Sequence, residues 1–98
     1  MTKGEGKLAV ADLQVDNERV RVTRWDFAPG AATGYHKHEY DYVIVPVTTG
    51  PLGIVGSQGE TRAELVAGKS YFRPRGVEHD VKNINDFPFA FVEVEMKG

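Results

Sequence analysis

The sequence predicts an all-β fold, an antiparallel barrel or jelly roll. About nine or ten short apolar or alternating runs follow one another at close, regular spacing. Clusters of Gly, Pro, Asn and Asp separate them, each a turn signal with its own backbone reason. No segment shows the 3.6-residue period of an amphipathic helix.

Met1 to Gly6 is polar and Gly-rich and reads as a loose terminus. Lys7 to Leu13 is mixed in character, an edge strand or a dimer arm. Asp16-Asn17-Glu18 has turn chemistry and precedes a strand from Val20 to Ala28. Within it Val20 and Val22 share one parity and Trp25 and Phe27 the other, so either a bulge resets the register or both faces are buried. Pro29-Gly30 ends that strand. Tyr42 to Val47 is β-branched and nearly all apolar, which suits a strand buried on both faces. Gly50-Pro51 turns into a short strand, Leu52 to Val55. Ser57 to Glu60 is a hairpin connection, and Thr61 to Val66 alternates. Ala67-Gly68 turns into Ser70 to Arg73, and Pro74-Arg75-Gly76 turns into Glu78 to Asn83. Asn85-Asp86 turns again, and Pro88 to Met96 closes the chain.

Composition narrows the function. The chain has 98 residues, 41% of them hydrophobic, which fits one domain spanning 1–98. A chain this short buries roughly 60–70% of its unfolded surface, so a second copy would help it, and a homodimer is expected. Its 12 basic and 14 acidic residues are interspersed, with no basic run, which argues against nucleic acid. With no cysteine there are no disulfides, thiolate ligands or cysteine nucleophile. No apolar run approaches the roughly 20 residues of a membrane span, and no signal-peptide pattern stands at the start, so a soluble cytoplasmic protein is expected.

All three histidines fall in two turn-bounded segments. His36 and His38 follow Pro29-Gly30, and His79 follows the second Gly/Pro-rich stretch. On a strand, residues two apart share a face, so His36 and His38 can hold adjacent positions of one metal.

Two spacings carry a resemblance. Gly30, five residues, His36, one residue, His38 is the first; Gly68, five residues, Pro74, one residue, Gly76, two residues, His79, three residues, Asn83 is the second. Together they resemble the two signature motifs of the cupin family, over roughly residues 20–96. The run from Arg19 to Asn83 further looks like small single-domain cupins that accompany β-alanine and polyamine breakdown. The resemblance implies a jelly-roll barrel in which His36, His38 and His79 converge on a divalent metal. The family's first motif continues with a glutamate four residues after the second histidine, and here that position is Tyr42.

Neutral imidazoles suit Fe(II), Zn, Ni, Mn and Cu, and three nitrogens leave coordination sites open. Without the carboxylate the set shifts away from Mn and Mg, and it resembles three-histidine cupins, some of which are Fe(II) dioxygenases. The alternative for the histidines is a barrel that has lost its metal. Tyr42 shares the parity of His36, His38 and Tyr40 and is the candidate catalytic residue: it ligates as phenolate, hydrogen-bonds a bound ligand, or only packs. A hydrogen bond costs no ionisation and is preferred. Arg24, Tyr40 and Arg73 are candidate substrate contacts, the guanidinium forks matching a carboxylate, with Arg75 a further choice. Asn83 secures a turn, and Glu93 shares the parity of Phe89 and Phe91 and so faces inward if they do.

Two functions are expected: an Fe(II) oxygenase of a small polar metabolite such as an amino or oxo acid, or a non-enzymatic ligand-binding or sensor module, with or without metal. A sugar isomerase or epimerase would need an acid/base pair that only Tyr42, Tyr40 and Glu93 can supply.

Overall fold

The structure, a computed structural model, describes residues 7–98 and contains no helix among them; the terminal segment Met1–Gly6 lies outside the described residues. Nine strands form: β1 (Val10–Asp16), β2 (Val20–Phe27), β3 (His36–Lys37), β4 (Asp41–Pro46), β5 (Gly50–Gly56), β6 (Gly59–Leu65), β7 (Tyr71–Arg73), β8 (Glu78–Lys82) and β9 (Phe89–Met96). They make two antiparallel sheets, ordered β1-β2-β9-β4-β7 and β3-β8-β5-β6. The strand boundaries follow the turn residues closely. Ser57 and Gln58 form the two-residue hairpin loop between β5 and β6, closed by the Gly56–Gly59 pair.

The parity conflict in the second predicted strand resolves without a bulge there. β2 pairs continuously with β9 from Val20–Met96 to Phe27–Phe89. The register break falls instead in β1, between Leu13 and Val15. That strand is an exposed edge along its whole length. Thr23, Trp25 and Phe27 point inward, while Val20 and Val22 stand on the outer face, half-buried. β4 corrects a second expectation. It is not buried on both faces but alternates, with Tyr42, Ile44 and Pro46 inward and Val43 and Val45 half-buried outside, because nothing in the described chain covers that side.

Paired residues on neighbouring strands share a face, so the registers give the barrel's inner surface row by row. One end is apolar, with Phe27 opposite Phe89 and Trp25 opposite Phe91. The Phe27 and Phe91 rings lie 5.4 Å apart, tilted by 41°. Leu52, Leu65 and Val81 from the second sheet complete this core. Moving along the strands, the rows turn polar: Thr23–Glu93–Ile44–Tyr71, then Arg21–Glu95–Tyr42–Arg73. The fold thus closes one end with hydrocarbon and leaves chemistry at the other.

Asn83 locks the closed end, at 1% exposure. Its Nδ2 donates to the carbonyls of Phe27, Ala28 and Phe87, and its Oδ1 accepts from the backbone and side-chain amides of Asn85. A side chain that satisfies this many buried backbone groups cannot be removed cheaply. Asn83→Ala is therefore expected to lower stability by about 2–4 kcal/mol in urea unfolding. Loss of the exposed turn residue Asn17 should cost under about 1 kcal/mol. Equal losses would contradict this role for Asn83.

Candidate metal centre

The three histidines meet because β3 pairs with β8. The register sets His36 directly opposite His79 and Lys37 opposite Glu78. Ahead of β3 the chain turns through Gly34 at φ +90°, a conformation that L side chains rarely adopt. The turn is fastened by the Gly34 N–H donating to the Asp80 carboxylate at 3.0 Å. It aims the Gly34 carbonyl at His36 Nδ1, 2.8 Å away. A carbonyl only accepts, so Nδ1 carries a proton, and in the neutral ring this leaves the Nε2 lone pair facing the barrel. His38 lies just past the end of β3. Its N–H donates to the Val77 carbonyl at 2.9 Å and its own carbonyl accepts from the Gly76 N–H at 2.8 Å. Gly76, at φ +95°, makes the turn that brings this segment alongside.

The ring nitrogens converge. His36 Nε2 and His79 Nε2 each lie 3.1 Å from His38 Nε2. Metal–imidazole bonds of about 2.1 Å put two nitrogens about 3.0 Å apart at a right angle and about 3.4 Å apart at a tetrahedral one. The observed spacing falls between those limits and fits one face of a coordination shell. Three nitrogen lone pairs at this distance also call for a cation among them. Burial, reinforced by the neighbouring histidines and by Arg73, pulls the pKa values of His38 and His79 down to about 4. Both rings are therefore neutral near pH 7, as a ligand must be.

Tyr42 stands beside this cluster. Its ring stacks on His38 with centroids 3.9 Å apart and planes 17° from parallel. The residue is 2% exposed, yet its hydroxyl has no hydrogen-bond partner among the described residues. Burial pushes the phenol up to about 12. Arg73, opposite it across β4 and β7, pulls the other way without closing a hydrogen bond of good geometry. The group is a neutral donor.

Histidines and tyrosine line a cavity of about 380 Å³ together with Arg73, Tyr71 and Glu93, a size at the lower end of small-ligand sites. Glu93 is 8% exposed. Burial, and then the neighbouring Glu95, raise its carboxyl to about 7. Glu95 is tied by an ion pair of 3.7 Å to Arg21. One ring nitrogen of His38 and the two carboxylates lie within 4.8 Å of one another.

Other expected contacts fall elsewhere. Arg24 is on the outer face of β2, opposite Val92, and its guanidinium binds the Asp26 carboxylate at 3.0 and 3.2 Å. Tyr40 leaves the cavity because the strand breaks at His38, so the parity that joined it to His36 and Tyr42 does not hold through the bend. Its ring instead lies 5.9 Å below the Arg21 guanidinium. Arg75 is exposed, its N–H held by Asp41. The sequence reading missed Glu95, Tyr71 and Gly34. Glu95 shares the parity of Glu93 and was open to the same inference. Nothing local marks the other two.

Two outcomes are expected. His79→Ala should abolish stoichiometric metal in elemental analysis while the circular dichroism of the barrel persists, because a ligand is lost and only a modest cavity is left. Glu93 should also show in the pH dependence of the metal-free protein. Its folded pKa is raised from 4.5 to about 7, so its contribution to stability is intact below pH 4.5 and is lost as pH rises through 7. Metal-free Glu93→Gln should therefore unfold at higher temperature than the parent at pH 8, with no such gain at pH 4. A gain of the same size at both would contradict a buried, ionising carboxylate.

The geometry can be set beside known proteins. The Cupin domain family matches residues 23–95. The chain is 53% identical over 89 residues to the Beta-alanine degradation protein BauB of Pseudomonas aeruginosa, covering 91% of this chain and 94% of that one. A crystal structure of a cupin domain from Bordetella pertussis superposes with a TM-score of 0.92 at 51% identity, over 94% of this chain and 96% of that one. A double-stranded β-helix domain from Klebsiella pneumoniae shares the fold, with a TM-score of 0.76 at 22% identity over 96% and 80% of the two chains. Barrel, histidine spacing and sequence agree: the chain belongs to the cupin family, as a small cupin similar to one associated with β-alanine degradation.

Proposed function

We propose that this cupin binds one divalent metal, Fe(II), through His36, His38 and His79 and acts as an oxygenase on a small amino or oxo acid. The observation that carries the reading is the convergence of three histidine Nε2 atoms on the wall of a cavity where the Tyr42 hydroxyl and the Trp25 indole N–H have no partner among the described residues. Three imidazole nitrogens, with neither thiolate nor carboxylate, suit Fe(II), Ni, Cu and Zn alike, and the resemblance to three-histidine cupins is what selects Fe(II) among them. Bound there, the ion supplies a Lewis acid with coordination positions open to small ligands. The chain's own groups supply the rest. Arg73 offers a guanidinium to a ligand carboxylate, and the Tyr42 hydroxyl donates a hydrogen bond beside it. Trp25, Ile44, Leu52 and Phe91 form the apolar wall that holds the ligand and limits water. The name of the Pseudomonas relative, a β-alanine degradation protein, supports an amino or oxo acid as the ligand class.

A second reading, a binding module without turnover, is favoured by one feature. Arg62, Glu64 and Arg73 line the cavity and are exposed, with no lid over them among the described residues. Pairing of two copies is part of the proposal. The outer face of the first sheet carries Val22, Val43, Val45, Val92 and Val94, all half-buried, with Phe72 at 58% exposure. Covering that face with a second copy accounts for valines where a one-sided sheet would carry polar residues.

Anaerobic loading with Fe(II) followed by oxygen-electrode assays over short amino and oxo acids tests the oxygenase. Uptake that depends on both metal and acid is expected, and ligand binding without uptake would select the binding module. Tyr42→Phe should keep its metal and bind the ligand about tenfold more weakly. Light scattering should give twice the 10.8 kDa chain mass, and Val94→Lys should shift it toward one chain.

A further inference from the structure

Two opposite charges line the same cavity without meeting. Arg73 and Glu93 both border it, and neither makes an ion pair or a side-chain hydrogen bond among the described residues. The other charged pair on that lining, Arg62 and Glu64, is closed at 2.8 Å, and Glu95 has Arg21. The ladder explains the separation. Arg73 pairs with Tyr42, whereas Glu93 sits two strands away and one inward-facing step along, opposite Ile44. Strand spacing and rise place their Cα atoms roughly 12 Å apart. Both side chains line the cavity, which carries a cation on one strand and a carboxylate two strands away.

Glu93 is the less explained of the two. It is 8% exposed, lines the cavity and has no hydrogen bond or ion pair among the described residues. A carboxylate held inside a protein without a donor is costly, and such groups point to a partner or a function. Around it, Thr23 and Ile44 flank it in the row, Glu95 adds like charge, and a His38 ring nitrogen lies within 4.8 Å without a hydrogen bond to it among the described residues. Resting on the reading that the cavity takes a small acid, we infer that Glu93 recognises an ammonium group. The ligand is then a short amino acid, held with its carboxylate toward Arg73 and Tyr42 and its amine at Glu93, rather than an oxo acid. An oxo group offers only acceptors, so it finds no donor in the Glu93 carboxylate, whereas an ammonium pairs with it directly.

The test compares β-alanine with propionate, which has the same chain and carboxylate and lacks the amine. Calorimetric titration of the metal-loaded protein should show β-alanine binding at least tenfold more tightly. In Glu93→Gln that ratio should fall toward one while metal content and circular dichroism match the parent. Glu93→Asp, which keeps the charge, should retain part of the preference and covers the case in which the glutamine variant does not fold. Equal binding of the two ligands by the parent, or an unchanged ratio in Glu93→Gln, would overturn the inference. So would a failure of glycine, β-alanine and 4-aminobutyrate all to bind. The metal reading is judged separately, by metal per chain in the same samples.

Discussion

The site depends on one two-residue pairing. β3 is only His36 and Lys37, yet its register against β8 sets His36 opposite His79. The backbone bonds of His38 to Val77 and Gly76 then bring in the third ring. Two short loops make this possible, with Gly34 and Gly76 in conformations that side chains resist. Gly34 also fixes the His36 tautomer through its carbonyl. A slip of one residue in that ladder would turn His36 away from the barrel and separate the rings. The glycines of the two motifs therefore do their work through backbone geometry, and the histidines inherit their convergence from it.

The barrel divides its interior by row. Phenylalanines and aliphatic residues fill one end and are braced by Asn83, while the histidines and the Glu93 and Glu95 rows occupy the other. This arrangement lets a chain of 98 residues keep an apolar core and still carry polar groups without partners. Such groups are unfavourable for folding alone, and departures of that kind concentrate where a protein binds something. The Tyr42 hydroxyl, the Trp25 indole N–H and the His79 Nδ1 are all buried without partners among the described residues.

Much of this was legible in the sequence. Turn residues marked nearly every strand boundary, and the paired motifs marked the barrel, the histidines and the inward position of Tyr42. Parity worked wherever a strand was unbroken, as from Phe89 to Glu93. It failed where the strand was not continuous, since the bend after His38 carries Tyr40 out of line. Arg24 was offered as a substrate contact for its guanidinium alone; it stands with Val20 and Val22 on the outer face of β2, and a sequence does not tell which of two apolar faces is the inner one. The partnerless state of Glu93 was also out of reach, because it depends on what three other strands fail to bring near it.

The central claim is that His36, His38 and His79 hold one metal. It is tested most directly by elemental mass spectrometry on protein purified without an affinity tag, anaerobically and without chelator. Close to one iron per chain is the expected result, and stoichiometric zinc or nickel would support the site while leaving its working metal open. No metal as purified, and none taken up on reconstitution, would contradict it.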